Sequence, residues 1–391
     1  MSIATRRFQR VHGGTAASEG TIFGFNTSNT DPERVSKITW WGKVPCGRTY
    51  YGDSTLPSSG SGFTPGGKEY KCAGLDVAGT ISAKRINVCF NIDAAAVTSS
   101  SSARAVEAYN YARSVPAGWR VYMTHHEYNR DFKGANTPAA FVNAFQIIAQ
   151  TIWDANQLNK STGKGEVLFV VNAAGSGLGG GSWSDSYAPA ANTMPSNCQF
   201  WADAYDNPNG YPSGHRNYGT NYSPNLGVDC INDIYDTAQR LGYLDNSDGG
   251  TRGWGVGEFN SPRRVAPTLA SINSTLGWGP SSQHDISGAG QAQAITSYAT
   301  LCLGTALRPV PAKVVLFWSG DGNHWNHNMQ TAGVPGYDAW RNGSGVLQSN
   351  DPLIDDFTGL TLHPTLGQGW PIAVDPTPVV NAYQPFINMS P

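Results

Sequence analysis

Two short stretches concentrate the side chains that can do chemistry. VYMTHHEYNR (121–130) begins like a buried strand and finishes on two histidines, a glutamate, a tyrosine and an asparagine. GWGVGEFNS (253–261) is an apolar, glycine-punctuated strand that runs into Glu258. A carboxylate at the end of an apolar strand is costly unless it is solvated or paired. Two of them, Glu127 and Glu258, suit cleavage of a glycosidic bond, in which one carboxylic acid protonates the leaving oxygen and the other, ionised, attacks the anomeric carbon. Retention of configuration requires a separation of about 5–5.5 Å between the two carboxyls. Mutual repulsion and partial burial would raise the pKa of the acid and keep it protonated near neutrality.

Such a pair needs elements that bring distant strand ends together. Eight strands are expected, at 20–29, 48–54, 84–93, 118–129, 165–175, 199–207, 253–261 and 312–322. Several are apolar on both faces, as in a buried parallel sheet. Helical patterns fall at 102–114, 225–241 and 287–306, with a longer one from 137. There Thr137 is placed to cap, Pro138 sits at the first helical position, and Phe141, Phe145, Ile148 and Ile152 form one stripe. Strands alternating with crossovers predict the α/β class and a (β/α)8 barrel with irregular N- and C-terminal extensions. A doubly wound open sheet is the alternative, weakened because no GxGxxG follows an early strand. The expected division is an N-terminal arm over 1–20, the barrel domain over 21–361 and a Pro-rich tail over 362–391. The loops at 175–197 and 207–225 are much longer than ordinary βα connections and lie on the face where barrels hold their sites.

Polar strand ends should converge there: Asn26, Asp53, Asn91, Asp93, Glu127, Asn172, Asp203, Tyr205, Glu258 and Trp318. Of these, Asn26, Asp93, Asn172, Tyr205 and Trp318 are taken as candidate substrate contacts. His125, of opposite strand parity, is expected to pack against the barrel or helices, and becomes the inward histidine if the register differs by one residue. Trp183, Trp201, Trp325 and Trp340 are further aromatic candidates for sugar subsites. His324 and His327 stand at HxxH spacing without a third ligand, so no metal is expected.

HHEYN at a fourth strand and GEFN at a seventh resemble the catalytic signatures of the clan A glycoside hydrolases, and the histidine directly before the first glutamate is most similar to glycoside hydrolase family 26. The resemblance implies a retaining (β/α)8 enzyme with Glu127 as acid/base and Glu258 as nucleophile. It also implies His126 as a contact to sugar or nucleophile, Trp318 as an aromatic floor, and a tyrosine near strand six drawn from Tyr205, Tyr211, Tyr218 or Tyr222. Two positions depart from the family pattern: Asn129 stands where a glycine is common, and Asn260 follows Glu-Phe in place of glycine.

Composition narrows the rest. Charged residues make up 14% of the 391 and the formal net charge is −2, which signals no nucleic-acid binding. The 12 tryptophans and 17 tyrosines argue against disorder. No run of 18 apolar residues occurs, so no membrane insertion is expected. The first twenty residues lack an apolar signal core, which leads to the expectation of a virion setting, such as a phage tail, or an extracellular one. The partners expected are a polysaccharide substrate and other virion tail proteins or further copies of the chain, and no cofactor is expected. The six cysteines form no CxxC pair, and Cys46 and Cys72 flank one Gly/Ser-rich loop as a candidate bridge. The rival expectation is a glycan-binding or structural virion protein on the same scaffold, without turnover.

Overall fold

Parallel strands buried on both faces call for apolar residues on both faces, and the strands of this chain supply them at most positions. The computed structural model describes residues 20–28, 34–175, 178, 188–205, 226–247, 251–260, 289–318 and 377–391. Its strands are β1 (Ile22–Asn26), β2 (Lys43–Val44), β3 (Gly47–Gly52), β4 (Ile81–Ser82), β5 (Arg85–Phe90), β6 (Arg120–His125), β7 (Glu166–Ala174), β8 (Gln199–Tyr205), β9 (Trp254–Asn260) and β10 (Val314–Phe317). Eight of them close into a parallel barrel in the order β1-β10-β9-β8-β7-β6-β5-β3, and β2 pairs with β4 in a separate two-stranded sheet. The eight barrel strands are the eight expected from the sequence.

The helices are α1 (Arg34–Trp41), α2 (Lys68–Cys72), α3 (Ala103–Ser114), α4 (Pro138–Ser161), α5 (Leu226–Arg240), α6 (Ala289–Cys302) and α7 (Thr377–Met389). In α4 the Thr137 hydroxyl accepts a hydrogen bond from the Ala140 amide, 3.2 Å, and Pro138 occupies the first turn, where its missing N–H costs nothing. Phe141, Phe145, Ile148 and Ile152 are fully buried against the barrel wall. Gly242, with φ of 83°, ends α5 as a glycine in the left-handed region can. The shorter helices α1 and α2 carry no periodic apolar stripe long enough to be read from sequence. Within the segment read as a tail, α7 packs on α6, α1 and β1 as a stave of the outer layer.

Alternation along each strand sorts side chains between two cores. Outward residues such as Phe23, Phe25, Met123, Phe169, Phe259 and Phe317 join the layer between barrel and helices. Inward residues Ile22, Cys46, Tyr122, Leu168, Val170, Trp201, Val314 and Leu316 form an apolar plug inside the barrel. Trp201, taken above as a subsite candidate, is therefore an interior plug residue, fully buried, with its indole N–H on Gln199 Oε1 at 3.0 Å. Cys46 lies inside the barrel and Cys72 in the outer core, and both are buried free thiols, so the candidate bridge is absent. Burial pushes the Cys46 thiol up to about 12.

Candidate active site

Toward the C-terminal ends of the strands the barrel lining changes from apolar to polar. Along β6 the inward parity set by Tyr122 continues through Thr124 to His126, while His125 turns outward. His125 packs on Phe141 with ring centroids 5.2 Å apart. Its Nδ1 accepts the Ile92 amide at 2.9 Å, which places the ring proton on Nε2, 2.9 Å from Asp131 Oδ2. Of the two histidines, His126 is thus the inward one and His125 the outward one.

Glu258 reaches the pocket through an irregularity in β9. Val256 pairs with Ala202 and Phe259 with Ala204, so three residues of β9 span two of β8, and the same shift recurs against β10. Val256 and Phe259 both face the outer core. In an unbroken strand Glu258 would share their side of the wall; the bulge rotates it inward instead. Gly257 permits this, because a Cβ there would lie 2.1 Å from Asn172 Oδ1 and 2.6 Å from Asp203 Oδ1.

Three groups from two strands, β3 and the end of β6, converge on Glu258 Oε1. Arg48 Nη2 of β3 lies 3.2 Å away, His126 Nε2 lies 3.2 Å away, and the Tyr50 hydroxyl of β3 donates to the same oxygen. Arg48 is fully buried, and its Nη1 also donates to the Gly257 carbonyl. His126 Nε2 is also 3.0 Å from Asp203 Oδ2, and the Asn172 amide donates to both Asp203 oxygens, at 3.2 and 3.3 Å.

The electrostatics follow from this packing. Burial works against a charge on His126, but Glu258 and Glu127, with the contacts to Asp203 and Glu258, outweigh it and hold the imidazole well above its ordinary 6.5. Burial raises the Asp203 carboxyl, Glu258 raises it further, and His126 pulls it back. Tyr50 is raised by burial against the opposing pull of Arg48, with Glu258 raising it further, so it remains a phenol donor. His126, Asp203 and Glu258 present ligand atoms within 4.8 Å of one another, a spacing that could hold a metal ion. Arg48 and the imidazolium already supply two positive charges at those carboxylates, and a cation would have to displace or face them. The donor set therefore fits an internal ion-pair cluster better than a metal centre.

Glu127 follows His126 at the end of β6, buried, with φ 49° and ψ 49°, the left-handed region that a glutamate rarely occupies. It adjoins the cluster through His126, whose charge it helps to hold. Trp318 continues the inward parity of Val314 and Leu316, is buried, and donates its amide to the Phe259 carbonyl at 3.0 Å.

The other expected contacts divide. Asn172 is fully buried beneath Asp203 and holds that carboxylate, which leaves it no surface to offer a substrate. Asn26 is buried and its side-chain oxygen accepts the Ser28 amide at 3.2 Å, a local turn bond. Asp93 is exposed beside a short helical turn that it does not cap with its side chain. Asn91 donates to Asp53 at 3.0 Å on the exposed rim. The backbone of Tyr205 pairs with Asn260. Tyr211, Tyr218, Tyr222, Trp183, Trp325, Trp340, His324 and His327 lie outside the described residues.

Sequence reasoning passed over Arg48 and Tyr50 and did not select Asp203. A signal for the first two was present: RTYYG alternates an arginine and a tyrosine at spacing two on an apolar strand, so both face one side. Tyr50 on Glu258 belongs to the second barrel strand.

No family model and no curated protein matches the chain. Among solved structures it is similar to a β-1,3-glucanase and allergen of Cryptomeria japonica pollen, with 13% identity and TM-score 0.42 over 77% of this chain and 89% of the other. It is similar to fungal β-1,4-galactanases at 13% identity and TM-score 0.42 over 85% and 93% of the two chains. The catalytic domain of a Bacillus sp. endo-β-1,4-mannanase shares 12% identity at TM-score 0.37 over 76% and 77%. These values describe a likeness in chain path, and the barrel itself rests on the strand order given above.

Proposed function

We propose that the chain is a retaining glycoside hydrolase that cuts a polysaccharide, with Glu258 as nucleophile and Glu127 as acid/base. The observation that carries this reading is the convergence of Arg48, Tyr50 and His126 on Glu258 Oε1, a carboxylate that a bulge turns into the barrel, with Glu127 next to His126 in the chain. A carboxylate so held stays ionised and aimed, as attack on an anomeric carbon requires.

In the first step Glu258 bonds to the anomeric carbon while the bond to the leaving oxygen breaks, and Glu127 gives that oxygen its proton. In the second, Glu127 takes a proton from water as the water oxygen attacks. The bond to Glu258 breaks and its electron pair returns to the carboxylate. The sequence expectation of a phage tail joins the proposal as a setting, with a host-surface glycan as substrate.

The test is a screen of cell-wall and plant polysaccharides for reducing-end release. Wild-type protein should release ends from at least one, and Glu258→Gln should lower the rate by at least about 10³-fold while binding persists. Binding by wild type without release of ends, unchanged in Glu258→Ala, favours the glycan-binding protein and sinks the enzyme.

A further inference from the structure

Glu127 holds a backbone conformation that costs a glutamate energy, and such a conformation persists only where its surroundings over-determine it. Here the chain from 125 to 131 is tied on every side. His125 is fixed below by the Ile92 amide and by Asp131, each at 2.9 Å. Tyr128 is buried against Phe132, Phe141 and Phe145, with centroids 5.9, 6.0 and 5.3 Å away. Asn129 makes a tie of a different kind. Its Oδ1 accepts the Ala174 amide at 2.7 Å and its Nδ2 donates to the Ala174 carbonyl at 3.3 Å.

That two-way bond imitates a strand residue. The register of β6 on β7 ends at the pair His125 and Val171, and Asn129 then pairs with Ala174 by its side chain, three residues farther along β7. On its other side Ala174 is paired with Asp203, whose carboxylate faces His126. The tie therefore closes a ring from Asn129 through Ala174 and Asp203 to His126, with Glu127 between its two ends. Nothing with fewer than two hydrogen-bonding atoms at position 129 could close it.

We infer that Asn129 is a positioning residue for Glu127, one that fixes the acid/base by extending the strand ladder through its side chain. The inference rests on the proposed function for its kinetic consequence, but the tie itself is testable apart from it. Asn129→Gly removes both bonds and Asn129→Asp keeps only the acceptor for the Ala174 amide.

A misplaced acid harms substrates whose leaving group needs a proton and spares those whose leaving group does not. The probes are the glycan that wild type cleaves and a 2,4-dinitrophenyl glycoside of the same sugar, with rate and pH profile measured on each. Asn129→Gly should lose about 10- to 100-fold in kcat/KM on the glycan and stay within about threefold on the dinitrophenyl glycoside, with Asn129→Asp between it and wild type. The alkaline limb of the glycan profile should shift in the same order. Equal losses on both probes, or no loss on either, overturn the positioning role.

Amide exchange provides the readout that needs no turnover. The Ala174 amide and the amides of 126–130 should exchange faster in Asn129→Gly than in wild type, by at least about tenfold. Unchanged exchange overturns the tie whatever the enzyme does. Faster exchange in a chain whose wild type cleaves no glycan would instead keep the tie and remove the hydrolase reading beneath it.

Discussion

Glu258 Oε1 collects a guanidinium, a phenol and an imidazole, and a buried carboxylate keeps its charge only in such company. The imidazole gains as much as it gives. The folded pKa of His126 lies above the ordinary 6.5, so its contribution to stability is full below 6.5 and is lost as the pH rises through the higher folded value. Asp203 is raised as well and works in the same direction. Replacing Glu258 by Gln removes the largest charge favouring the imidazolium. The titration of the His126 ring followed by NMR should therefore have its midpoint clearly above 6.5 in wild type and fall in Glu258→Gln. A wild-type midpoint at or below 6.5 would show that the pairing with Glu258 is not present in solution.

At the scale of the element, the bulge in β9 decides whether there is a site at all. One residue inserted between Val256 and Phe259 moves Glu258 from the helix side of the wall to the lumen, and a side chain at 257 would collide with Asn172 and Asp203. Gly257→Ala should therefore destabilise the protein by about 1–3 kcal/mol, the usual cost of overpacking, and remove activity with Glu258 still in place. Urea unfolding measures the first and reducing-end release the second. A variant within about 0.5 kcal/mol of wild type would mean that the strand relaxes freely and that the close packing is not what sets the bulge.

At the scale of the molecule, residues at the end of the described chain complete its beginning. Tyr383 of α7 is buried among Phe23, Trp41, Phe259 and Phe317 with centroids 5.3–6.2 Å away, and its hydroxyl donates to the Gly24 carbonyl at 2.8 Å. The Ser390 hydroxyl accepts the Phe23 amide at 2.8 Å. These contacts join β1, β9 and β10 at the seam where the barrel closes. Tyr383→Ala should cost about 3–5 kcal/mol, as other large-to-small aromatic truncations do, read as a lower urea midpoint in one cooperative transition. A loss below about 1 kcal/mol would show that α7 merely rests on a barrel that closes without it.

Periodicity carried the architecture because it is a local property: each run of apolar residues reports its own burial, and the stripe of Phe141, Phe145, Ile148 and Ile152 is legible without its partners. The parity of His125 and His126 was legible up to a slip of one residue, which the pairing of β6 with β7 settles. Three things were not. A bulge is a mismatch between two strands, so nothing in GVGEFN alone separates it from a regular strand. The burial of Asn172 under Asp203 and of Trp201 in the plug depends on depth along the barrel axis, which no single strand encodes. The convergence of Arg48, Tyr50 and Asp203 on His126 and Glu258 joins residues as far as 210 positions apart, and only closure of the barrel makes them neighbours. The sequence by itself determined which segments are strands and which carboxylates end them; the tertiary structure decided which of those ends face one another, because that choice belongs to register and closure, properties of strand pairs and of the whole ring.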